Sequence, residues 1–133
     1  MTPKNPIVIV DDDPDDRGLI KDAFLENSPN RKFVLLENGD LLLEFLKATP
    51  DAELPALILL DLNMPGKDGR DVLKEIKKDL KLNHIPVIVF STSSLDKDRI
   101  ISYELGANCF ITKPSSYQEM IYLTDAIMKL WAS

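Results

Sequence analysis

Cysteine occurs once, at Cys109. No disulfide within the chain can staple the fold, and a reducing cytoplasm is the expected compartment. Basic residues are outnumbered by acidic ones, 16 to 22, which leaves a net charge of −6 and a pI near 4.7. Nucleic acid is therefore disfavoured as the main partner, because a phosphate backbone calls for a basic face. No apolar run approaches the length of a membrane span. The opening stretch MTPKNPIVIVDDD has neither the h-region nor the cleavage site of a secretory signal. Repeats, low-complexity tracts and linkers are also missing. Gly66 and Gly69 are spaced as neither G-x-G-x-x-G nor a P-loop, so their expected role is backbone geometry in the loop after Pro65.

What is present is a soluble, globular balance: 44% hydrophobic and 29% charged residues over 133 positions. That length is one domain as a prior. Surface scaling leaves roughly 7,000 Å² exposed and about two-thirds of the extended surface buried, enough for a core. Short apolar runs recur at Ile7–Val10, Phe33–Leu36, Leu57–Leu60, Val87–Phe90 and Cys109–Ile111. Runs without polar alternation are what strands buried on both faces require. Between them lie helical stripes: Leu19, Ile20, Ala23 and Phe24; Leu42, Phe45 and Leu46; Val72, Leu73, Ile76 and Leu80. A long stripe from Tyr117 to Trp131 closes the chain, and the fourth helix, around Leu95 to Leu105, is the least regular.

Asp13 and Pro14 read as N-cap and first residue of the first helix, and Gly106 as the residue that ends the fourth. Five βα units in series predict an α/β fold with a doubly wound, five-stranded parallel sheet and helices on both faces. The first, third and fourth runs are the most apolar and belong in the centre, which gives the flavodoxin-like order 2-1-3-4-5. These units use the whole length, so the expectation is a single domain over 1–133 with no output domain.

In such a sheet function gathers at the carboxyl ends of the strands. The residues there are Asp11, Asp12 and Asp13 after the first run, and Asp61-Leu62-Asn63 after the third. Ser91, Thr92 and Ser93 follow the fourth, and Thr112-Lys113-Pro114 close the fifth. Two carboxylates about 4 Å apart repel by ~1 kcal/mol in water and up to ~4 kcal/mol at an effective dielectric of 20. A cluster of this kind calls for a neutralising partner. A hard divalent cation such as Mg²⁺ with Lys113 beside it would serve, and the set describes phosphoryl transfer with a carboxylate as covalent acceptor. Asp13, next to Pro14, reads as a helix cap rather than a ligand. His84 reads as a solvated loop residue at the far end of the sheet, Cys109 and Trp131 as packing residues, and Tyr122 as solvent-facing.

The segments Val10-Asp11-Asp12-Asp13-Pro14, Leu60-Asp61-Leu62-Asn63-Met64-Pro65 with Asp68-Gly69, Phe90-Ser91-Thr92-Ser93 and Thr112-Lys113-Pro114 together resemble the signature of the two-component response-regulator receiver domain. More loosely, the chain is similar to stand-alone regulators paired with bacterial phytochrome-type histidine kinases. The resemblance implies that Asp61 accepts phosphate from a sensor histidine kinase or a histidine phosphotransfer protein. It implies that Asp11, Asp12, Asp61 and the backbone carbonyl of Asn63 bind Mg²⁺. Lys113 would pair with phosphoryl oxygens, Ser91 would be the switch hydroxyl, and Phe110 the ring coupled to it. Thr92 and Ser93 are secondary, and the bond before Pro114 is often cis in this family. Ser91 stands where threonine is commoner, so it lacks a methyl that packs in both states. The signal would pass to a downstream protein by docking, with a homodimer through the fourth helix, fifth strand and fifth helix as a further expectation. The chain would be no enzyme beyond its own phosphorylation and dephosphorylation, with no nucleic-acid or membrane partner. Two other readings remain: a Mg²⁺-dependent phosphohydrolase working through an aspartyl phosphate, and a phosphate-independent pseudo-receiver. Asn63 stands where the first of these would want a second acid, and the intact motif set weighs against the second.

Overall fold

The apolar runs form five parallel strands, and the stripes between them form the helices that cover both faces of the sheet. The computed structural model describes residues 5–64 and 68–132. In chain order the elements are β1 (Ile7–Val10), α1 (Pro14–Asn27), β2 (Phe33–Leu36), α2 (Gly39–Ala48), a single 3₁₀ turn (Asp51–Glu53), β3 (Leu57–Leu60), α3 (Gly69–Lys78), β4 (Val87–Ser91), α4 (Asp96–Glu104), β5 (Cys109–Thr112) and α5 (Tyr117–Trp131). The sheet order is β2-β1-β3-β4-β5, as expected, with every pairing parallel.

Because side chains alternate across a strand, the sheet feeds two separate cores. Val8, Val10, Ile58, Leu60, Val87 and Val89 pack against Leu42, Leu46, Val72, Leu73 and Ile76 of α2 and α3. Ile7, Ile9, Leu57, Leu59, Ile88 and Phe90 pack against Ile20, Ala23, Phe24, Met120 and Ile127 of α1 and α5. All residues of β1, β3 and β4 are buried, whereas β2 and β5 are only partly so, as edge strands should be. Cys109 is half-buried rather than enclosed, and it packs with Trp131 against the second core.

The local signals at helix ends hold. Asp13 caps α1, its side chain accepting from the N–H of Asp15, with Pro14 as first helical residue. Gly106 has φ of +103°, and the bonds Ala107 N–H to Ser102 O (3.0 Å) and Gly106 N–H to Tyr103 O (3.1 Å) close a Schellman motif after α4.

Three stripe positions are corrected by the structure, one of them Tyr117, which is exposed at the start of α5. Leu80 is not part of the buried face of α3: the helix ends at Lys78, Asp79 caps it, and Leu80 is 91% exposed. Leu19 is exposed on α1, beside the functional rim. The irregularity of α4 has a physical cause. Its buried positions are Asp98 and Ser102, while Leu95, Ile100 and Tyr103 face solvent. The hydroxyl of Tyr103 accepts the N–H of Phe110 (3.1 Å), which on edge strand β5 donates to this side chain instead of to another strand. Among the described residues no peptide bond is cis, so the Lys113–Pro114 bond is trans, unlike the form the resemblance makes frequent. Pro65 and Gly66 lie outside the described residues.

Candidate functional site

Parallel strands deliver their carboxyl ends to one rim, so the residues that follow β1, β3, β4 and β5 meet there. Asp11 is 2% exposed, Asp61 is 8% exposed, and Asp12 is open to solvent. One carboxylate oxygen from each of the three lies within 4.8 Å of the others. Lys113, following β5, reaches across this group. Its Nζ stands 2.5 Å from Asp11 Oδ2, 3.2 Å from Asp16 Oδ2 and 3.7 Å from Asp61 Oδ2.

Backbone contacts set the orientation of Asp11 and Asp61. Asp11 Oδ1 accepts the N–H of Asp13 (3.0 Å), and Asp61 Oδ1 accepts the N–H of Asn63 (3.2 Å). The Arg17 guanidinium donates to the carbonyl of Asp11 (2.6 Å), fixing the first acid from the α1 side. Gly69 permits a close crossing behind the site. Its N–H donates to Leu62 O (3.1 Å), and a Cβ there would stand 2.5 Å from the carbonyl oxygen of Asp61. This is the backbone role expected for that glycine.

Burial pushes the Asp61 carboxyl up to about 6, assisted by the neighbouring charge of Asp11, while Lys113 opposes the rise. Burial also works against the ammonium of Lys113, yet the carboxylates of Asp11, Asp61 and Asp16 outweigh it and hold the lysine above its usual range. Four carboxyl groups, those of Asp11, Asp12, Asp16 and Asp61, are gathered around the single ammonium of Lys113, so acids outnumber it in the pocket. Hard oxygen donors converging in excess over the ammonium suit a divalent cation that prefers oxygen ligands. Asp11, Asp12 and Asp61 are the side chains that would hold it.

Ser91 ends β4 fully buried, with its Oγ accepting the N–H of Ser93 (3.1 Å). Its carbonyl accepts the N–H of Lys113 (2.8 Å), locking the ends of β4 and β5 together. Thr92 is exposed and, with Asp16, Leu19, Lys113, Pro114 and Tyr117, lines a cleft of about 320 Å³ beside the acids. The Ser93 hydroxyl donates to Asp98 Oδ2 (2.5 Å) and accepts the N–H of Leu95 (3.2 Å). Phe110 is half-buried against the α2/α3 core. Asp13 acts as a cap, as expected, and His84 lies exposed before β4, away from the rim.

Sequence reasoning misses Asp16, which shares Lys113 with Asp11 and Asp61. The signal is available, since α1 starts at Pro14 and its third residue looks back over the strand ends. It also misses Arg70 and Asp98, whose side chains meet at 2.8 Å. No pattern along the chain pairs positions on separate helices.

Comparison with known proteins agrees with this arrangement. Residues 7–125 match the family described as the response regulator receiver domain. The chain is 36% identical over 132 residues to response regulator Rcp1 of Synechocystis, covering 97% of this chain and 90% of that protein. It superposes on the phosphorylated cyanobacterial phytochrome response regulator RcpA with a TM-score of 0.89 and 38% identity, over 99% of this chain and 96% of the other. The Mn²⁺-bound form of Rcp1 superposes with a TM-score of 0.83 at 38% identity, over 97% of this chain and 94% of that one. With its strand order, its acidic rim and these relatives all in agreement, the chain belongs to the response regulator receiver domain family.

Proposed function

We propose that Asp61 receives a phosphoryl group in the cytoplasm from the phosphohistidine of a sensor kinase, and that this kinase is of the phytochrome type, a reading supported by the likeness to a phytochrome response regulator. The observation that carries this reading is a buried carboxylate held between two acids and a buried lysine at the carboxyl edge of the sheet. An Asp61 carboxylate oxygen attacks phosphorus, a P–O bond forms, the P–N bond breaks, and the imidazole nitrogen keeps the electron pair. The donor approaches through the cleft bordered by Leu19, Thr92 and Tyr117. Asp11, Asp12, Asp61 and the Asn63 carbonyl would hold Mg²⁺, which when bound would draw charge from the phosphoryl oxygens. Lys113, already 3.7 Å from Asp61, pairs with those oxygens after transfer.

Ser91 is the hydroxyl that turns to the phosphoryl group, and Phe110 follows it. The face built by α4, β5 and α5 then changes shape and alters docking of a downstream protein or a second copy of the chain. That face exposes Ile100, Tyr103 and Tyr122. The activity is confined to the protein's own phosphorylation and dephosphorylation. Incubation with acetyl phosphate and Mg²⁺ tests the reading: wild type should take up one phosphoryl group, and Asp61→Asn none. Equal labelling of the two proteins overturns the assignment.

A further inference from the structure

One polar chain leads from Ser91 through side chains that are outside both the three-acid cluster and the ion pairs of Lys113. Ser93 N–H donates to Ser91 Oγ (3.1 Å), and Ser93 Oγ donates to Asp98 Oδ2 (2.5 Å). Asp98 Oδ1 accepts from Arg70 Nη2 (2.8 Å), and Arg70 Nη1 lies 3.2 Å from Asp68, the N-cap of α3. The chain thus runs from the switch residue, through the first turn of α4, to the first turn of α3. We propose that Arg70 and Asp98 are positioning residues for Ser91: Asp98 ties the β4–α4 loop to α4, and Arg70 holds α4 against α3 as a brake on switching. This inference rests on the function proposed above.

Three observations support it. Asp98 is the third residue of α4, a position from which a carboxylate can reach back to the N–H of the N-cap residue. Here the N-cap residue Leu95 has no side-chain acceptor, its own N–H is taken by Ser93 Oγ (3.2 Å), and the carboxylate bonds Ser93 and Arg70 instead. Second, Asp98 is buried, with a side chain only 10% exposed, and its carboxyl is held below the usual range by the Ser93 hydroxyl and by Arg70. Third, the two helices are fastened differently. Val72, Leu73 and Ile76 anchor α3 in the core, whereas α4 turns Asp98 and Ser102 inward. A movement of Ser91 that keeps its bond from Ser93 pulls on Asp98, and Arg70 opposes that pull from the fixed helix.

Beryllofluoride with Mg²⁺, a mimic of the aspartyl phosphoryl group, tests both halves in the full chain. Arg70→Ala should bind the mimic about five- to tenfold more tightly than wild type, because a hydrogen-bonded charge contact that opposes the bound state is gone. Ser93→Ala should still bind it, but the amide resonances of α4 should no longer move on binding. Arg70→Gln, which retains a polar side chain of similar reach, should fall between Arg70→Ala and wild type, and it serves in place of the alanine variant if that variant melts below the assay temperature. Unchanged or weaker affinity in the folded Arg70 variants overturns the brake, and undiminished α4 shifts in Ser93→Ala overturn the tie. Asp61→Asn separates these failures from failure of the site itself. If wild type and Asp61→Asn respond alike to the mimic, the phosphoryl-acceptor reading falls, and the inference falls with it.

Discussion

Replacing Asp61 by asparagine should make the metal-free protein more stable at neutral pH. The wild-type carboxylate is 8% exposed, and burial raises its pKa from 3.8 to about 6, a rise that Lys113 reduces without cancelling. A tenfold change in an acid's ionisation equilibrium is worth about 1.4 kcal/mol, so ionising Asp61 in the folded protein costs on the order of 3 kcal/mol relative to the unfolded chain. The folded state holds this proton more tightly. Stability is therefore highest below the unfolded pKa and is lost as pH rises through the folded one. Asparagine keeps the shape and an oxygen for the N–H of Asn63 but removes the charge. In a thermal melt with chelator at about pH 7.5, the variant should melt roughly 8–10 °C above wild type for a domain of this size. The gap should close as pH falls through about 6 and vanish near pH 4. Added Mg²⁺ should raise wild type according to its affinity and leave the variant nearly unmoved. A variant that melts at or below the wild-type temperature with chelator present would refute the claim that the pocket stores uncompensated charge.

Other substitutions probe neighbouring parts. Lys113→Met leaves Asp11 and Asp61 buried without their cation, so it should destabilise the metal-free protein by about 3–5 kcal/mol in urea denaturation. Gly69→Ala places a methyl against backbone at 2.5 and 2.7 Å, so it should cost about 1–3 kcal/mol and weaken metal binding by displacing Asp61, both measurable by calorimetry. Gly106→Ala meets both a φ of +103° and the Lys77 side chain at 2.8 Å, so a loss of about 1–2 kcal/mol is expected in urea denaturation, with metal affinity unchanged.

The strands, their order and the acidic rim are legible in the sequence because each rests on a local pattern. An uninterrupted run such as Leu57–Leu60 specifies a strand covered on both faces, and the residue that follows it must fall on the rim. Spacing alone carries the third helix too far because Leu80 fits its apolar stripe, and nothing in that stripe shows Asp79 capping the helix one residue earlier. The fourth helix is hard to read for the opposite reason. Periodicity arguments look for buried apolar residues, and α4 buries an aspartate and a serine that hydrogen-bond within their own helix and to other segments. Asp16 and Arg70 gain their roles only through contacts between segments, Asp16 with Lys113 and Arg70 with Asp98.

The hydroxyl of Tyr103 against the amide of Phe110 has a consequence for how the molecule signals. An outermost strand with a free donor invites pairing by foreign chains, and here a phenol from the adjoining helix occupies that donor. A displacement of α4 that breaks this bond would strip the cover from the margin of the sheet. Activation and exposure to unwanted association are thereby linked through a single contact.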